Sequence, residues 1–109
     1  MKLEGIPFTG IDWKKVAVAE HAGETGSATW RTFEQGNVRV RLVEYSAGYK
    51  ADHWCSRGHV IHVLEGTLVT ELQDGRAFTT EAGSTYVVEE NGAPHRSTTV
   101  SGAKLFIVD

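Results

Sequence analysis

Short β-branched or apolar runs recur roughly every eight to twelve residues, with a glycine-bearing turn signal between successive runs. No long stretch carries the 3.6-residue apolar stripe of an amphipathic helix. "NVRVRLVEY" (37–45) alternates around Arg39 and Arg41. "HVIHVLEG" and "TLVTELQDG" flank Gly66, which reads as a turn, and the second run ends in the hairpin signal Asp74-Gly75. "RAFTTEAG", "STYVVEENG", "HRSTTVSG" and the apolar "AKLFIVD" complete the series. Asp12 is placed to cap a single helical turn over Trp13 to Lys15. The pattern predicts an all-β sandwich or barrel.

At 109 residues and 40% apolar content, the chain can bury a core of its own and reads as one domain spanning 1–109. The formal net charge is −3 and no basic block occurs, so neither nucleic acid nor an anionic membrane is expected as a partner. No apolar run approaches the ~18 residues that span a bilayer, and the first twenty residues lack a signal-like apolar core. The sequence therefore predicts a cytoplasmic protein. A single cysteine, Cys55, cannot form an internal disulfide and is left as a free thiol or a ligand.

Three of the five histidines accompany that cysteine in "ADHWCSRGHVIHVLEG" (51–66). In extended backbone, residues an even number apart share a face. His53, Cys55 and His59 satisfy this rule and can converge, whereas His62 falls on the opposite face. Ile61 and Val63 share the face of His59 and would floor the site. A fourth donor, His95, follows Pro94 at the start of a later strand. A buried packing role for Cys55 is the alternative.

These two segments resemble the paired motifs of the cupin family, the double-stranded β-helix. Gly48, His53 and "VLEG" (63–66) match the first motif, and Gly83, "TYVV", "NGAP" and His95 match the second. Aligned from "VLEG", Cys55 stands where the family has its second histidine, and His59 where it has a glutamate. The likeness covers about residues 38–108, and the Asp52-His53-Trp54-Cys55 run is similar to a group of small bacterial cupins named for an Asp-His-Cys-Trp motif. The resemblance implies a jelly-roll barrel with a metal inside it, held by His53, Cys55, His59 and His95. It also implies that residues 1–35 add edge strands and help to form a homodimer.

Replacing glutamate by cysteine and histidine softens the donor set, favouring zinc, iron(II), nickel or copper over magnesium and calcium. Four protein donors around zinc would make a closed structural site. Around iron or nickel they would leave positions open. Three functions follow from the resemblance: a metal-dependent oxygenase or isomerase on a small molecule, a non-catalytic small-molecule-binding or sensing module, and a structural zinc site. The enzyme is preferred, although no general base is evident once His59 replaces the glutamate. Asp52 is expected either to orient a ligand histidine or to sit in a turn. Arg57 is placed to meet an anionic substrate. Arg96 is expected to face solvent or an interface, and Trp30, Trp54, Tyr86 and Phe106 to be core or interface aromatics.

Overall fold

The computed structural model describes residues 1–109. After a 3₁₀ turn over Trp13–Lys15, where the Asp12 carboxylate accepts from the Lys14 amide, the chain forms eight strands. They are β1 (Val18–Ala22), β2 (Ser27–Gln35), β3 (Val38–Tyr45), β4 (His59–Leu72), β5 (Ala77–Glu81), β6 (Thr85–Val88), β7 (His95–Thr98) and β8 (Ala103–Val108). All pairings are antiparallel. One face of the barrel runs β1-β2-β3-β8-β4, with β6 also on β4, and the other places β5 and β7 beside the second half of β4. β1 closes one edge and all five of its residues are exposed.

Gly66 does not separate two strands, as the sequence suggested. It lies inside the fourteen-residue β4, which crosses from one sheet to the other. The register against β8 shifts between Val63 and Glu65, the signature of a bulge, and Gly66 follows with φ 77°. A Cβ at Gly66 would collide with the carbonyl oxygen of Gly102. The extra residue resets the inward parity. Ile61 and Val63 are buried before it, Leu68 and Thr70 after it, although 63 and 68 are an odd number apart. Together with Val43, Ala103, Leu105 and Ile107, these apolar residues make the core at one end of the barrel. The other end holds polar groups.

No helix is long and apolar enough to cross a membrane.

Candidate metal centre and cavity

Three of the four expected donors converge. The Sγ of Cys55 and ring nitrogens of His59 and His95 all lie within 4.8 Å of one another. Each comes from a different element. His59 opens β4 and His95 opens β7. Cys55 sits in the preceding loop, which is tied alongside β7 by reciprocal backbone hydrogen bonds between Cys55 and His95. The loop is held down further where the Gly58 amide donates to the Glu90 carboxylate at 2.9 Å and the Asn91 amide to the Ser56 carbonyl at 2.8 Å. A side chain at Gly58 would meet the Glu90 backbone, so only glycine permits that approach.

Hydrogen-bond partners orient both rings. The Nδ1–H of His95 donates to the Ala93 carbonyl at 2.9 Å, and that of His59 to Asp109 Oδ2 at 3.2 Å. A carbonyl or carboxylate oxygen can only accept, so each imidazole turns an Nε2 inward. Those two Nε2 atoms are 2.7 Å apart. Cys55 lies beside them, and its hydrogen bond with His95, aided by the Arg57 amide, lowers its thiol below the ordinary range against the opposing effect of burial. The same contact raises His95.

His53, the fourth expected donor, stands apart from this cluster. Its side chain is 79% exposed, and its Nδ1–H donates to Asp52 at 2.6 Å. It reaches the cavity only as part of the lining. Asp52 does orient a histidine, as one of its two expected roles required, but that histidine is His53. His62 faces away and pairs with the Thr85 hydroxyl at 2.8 Å.

Above the cluster opens a cavity of about 440 Å³. Ile61 contributes to its wall, as parity indicated, whereas Val63 is sealed in the core. Trp30 and Tyr86 pack against the core, as expected, and together with Trp54 they also line the cavity. Arg96 does not point to free solvent. It donates to Glu71 at 2.9 Å and lies 4.4 Å over the Trp54 ring, on the cavity wall.

Sequence reasoning assigned no role to Arg39, Arg41 or Asp109, which line the same cavity. The Asp109 side chain is fully enclosed. Burial alone would raise its carboxyl, but hydrogen bonds from His59 and Arg39 and the charge of Arg41 hold it well below the usual range. A parity signal was present. Asp109 continues the inward series Leu105, Ile107, and Arg39 and Arg41 share the inward face of Val43.

No protein-family model matches the chain, and no curated protein matches it in sequence. Solved structures do match in fold. The polyketide cyclase RemF from Streptomyces resistomycificus is 20% identical, with 94% of this chain and 78% of that chain covered at a TM-score of 0.77. Ectoine synthase from P. lautus is 12% identical over 93% of this chain and 76% of that chain, with a TM-score of 0.74. A cupin-2 domain containing protein from Shewanella frigidimarina is 25% identical over 73% and 78%, with a TM-score of 0.59. With its antiparallel strands, its strand-crossing β4 and these likenesses, the chain is, in fold, a small cupin.

Proposed function

We propose that the chain binds one divalent transition metal through Cys55, His59 and His95, and acts as a metal-dependent enzyme, an oxygenase or isomerase, on a small molecule held in the cavity. One observation carries the metal: two imidazole Nε2 atoms, each freed for ligation by a partner on Nδ1, face one another at 2.7 Å beside a thiol of lowered pKa. Two facing lone pairs repel unless a proton or a metal ion lies between them. Typical zinc bonds are about 2.0–2.1 Å to nitrogen and 2.3 Å to sulfur, so one ion can serve all three donors with small adjustments. The donor set suits zinc, iron(II) or nickel.

Three protein donors beneath an open cavity match the arrangement of catalytic zinc sites better than the closed four-donor structural kind. A bound metal would supply Lewis-acid or redox capacity at the cavity floor. The chain's own residues do the rest. Asp109 and the Ala93 carbonyl fix the two rings, the Arg57 amide holds the sulfur, and Trp30 and Trp54 give the cavity apolar walls. Asp109 is the one carboxylate lining the cavity, and its oxygens are committed to Arg39, Arg41 and His59. With Cys55, His59 and His95 engaged on the metal, proton transfer at a substrate therefore falls to other groups of the lining or to solvent. The cyclase and the synthase of similar fold are enzymes by name, which supports turnover over mere binding.

Metal analysis of the purified protein tests the reading. One zinc, iron or nickel per chain is expected, and nitric oxide added to the anaerobic iron(II) form should give a nitrosyl electron-spin signal. Absence of metal, with no rise in melting temperature on adding zinc, nickel or iron(II), would overturn it.

A further inference from the structure

One carboxylate serves too many cations. Asp109 accepts from Arg39 Nε at 2.8 Å and Nη2 at 3.0 Å, and from Arg41 Nη2 at 2.8 Å, while Arg57 Nε approaches its Oδ2 to 3.8 Å. Three guanidiniums thus converge on one enclosed carboxylate at the cavity wall; Glu34 and Glu90 lie nearby, but neither makes an ion pair with Arg57, whose closest carboxylate contact is this one at 3.8 Å. Arg96, the remaining arginine of the lining, is already matched by Glu71. Arg41 is only 6% exposed, and its Nε is buried with no hydrogen-bond partner. The Arg57 guanidinium makes no hydrogen bond, and its side chain is 47% exposed at the mouth. Charge held in such surroundings is costly unless an anion meets it.

The geometry points to a ligand class: we propose that the cavity takes a small organic oxyanion, its carboxylate or phosphate group set against Arg57 and Arg41 and its body against the apolar part of the cavity wall. Both arginines lie against the same oxygen, Asp109 Oδ2, so one oxyanion can engage both. Guanidinium forks bind carboxylate and phosphate oxygens alike, whereas Arg41 and His21 already lie against the Trp30 ring and Arg96 against that of Trp54, so the head group rather than ring stacking sets the ligand class. The cavity volume fits a small metabolite. The inference rests on reading the cavity as the small-molecule site, and it does not require the metal.

Calorimetry with benzoate, phenyl phosphate and the neutral analogue benzyl alcohol, each on metal-loaded and metal-free protein, tests it. At least one of the two anions should bind tighter than benzyl alcohol in both forms, and the tighter one names the head group. Arg57→Gln should weaken that anion by about tenfold or more, since a charge-assisted hydrogen bond is lost, and Arg57→Lys should recover part of it. Because Arg57 is half exposed, neither variant threatens the fold, which a thermal melt verifies. Anions no tighter than benzyl alcohol, or an Arg57→Gln variant with undiminished anion affinity, would overturn the inference. Anion binding that appears only with metal present would also overturn it, by assigning the anion to the metal. Metal loading without anion binding defeats this inference alone, and anion binding to a protein that takes no metal defeats only the metal reading.

Discussion

Cys55 and His95 are locked opposite one another by two backbone hydrogen bonds, Cys55 N–H to the His95 carbonyl at 2.7 Å and His95 N–H to the Cys55 carbonyl at 2.9 Å. Directly opposed residues of an antiparallel pair put their side chains on the same side. This bridge, more than the spacing within the 51–66 segment, sets the thiol beside the imidazole. It also gives the thiol its character: the hydrogen bond with His95 lowers its pKa and burial only partly opposes it.

Cys55 should therefore be alkylated by iodoacetamide at neutral pH faster than a free cysteine, whose thiol is mostly protonated there. His95→Ala should slow that reaction at pH 7 and shift its pH profile upward. Saturating zinc should protect Cys55 in the wild type. Mass spectrometry of the labelled protein reads all three, and a profile unchanged by His95→Ala would separate the thiol from the imidazole.

The histidines should divide in their effect on metal content. His59→Ala and His95→Ala should each abolish near-stoichiometric metal, because each removes an Nε2 donor. His62→Ala should leave it at one per chain, since His62 points to Thr85. His53→Ala should lower affinity far less than His59→Ala, given its exposed side chain and its bond to Asp52. In cobalt-substituted protein, Cys55→Ala should remove the near-ultraviolet thiolate charge-transfer band. Metal titration of the variants checks the order, and equal loss from His62→Ala and His59→Ala would contradict the strand geometry.

Much of the architecture was legible because period-2 patterning and glycine turns are local signals. Strands over 38–45, 77–81, 85–88 and 103–108 lie within runs that the sequence marks plainly. The crossing at Gly66 was hidden because a bulge and a turn both ask for a glycine. Only the burial of both Val63 and Leu68, on an odd spacing, tells them apart. In the site, parity worked along β4 for His59, Ile61 and His62. It misled for His53, which it grouped with Cys55 and His59, since the loop before β4 is not a continuous strand and carries only the isolated bridge at Cys55. Arg39, Arg41 and Asp109 were missed for another reason. Charged residues on an alternating strand read as the wet face, and in this barrel the inner face is charged at one end and apolar at the other.

Gly66→Ala should destabilise the fold by at least about 2 kcal/mol, because it combines a left-handed φ with a collision against the β7–β8 connection at Gly102. Gly75→Ala, at φ 99° with open space around it, meets only the backbone strain and should cost less. Urea unfolding of the two variants at neutral pH gives the comparison. If Gly75→Ala were the more damaging, the crossing of β4 would not depend on close approach.

Asp109→Asn separates the electrostatic role of Asp109 from its shape. The carboxylate is enclosed among Arg39, Arg41 and His59, so removing its charge leaves buried guanidiniums unmatched and should cost about 3–5 kcal/mol. Its folded pKa is depressed, so the carboxylate binds protons less readily in the folded chain than in the unfolded one. Its stabilisation is therefore complete above the ordinary aspartate range of about pH 4 and is lost as pH falls through the lower folded value. Between pH 5 and pH 3 the urea midpoint of the wild type should drop by more than that of Asp109→Asn, which lacks this titration. An asparagine can also present its amide N–H to His59, which would favour the other tautomer and loosen the metal. Metal affinity should then fall by about ten- to a hundredfold, the usual range for a lost partner behind a ligand histidine. A variant with wild-type acid sensitivity and unchanged metal affinity would show that Asp109 fills space and does not organise the charges around it.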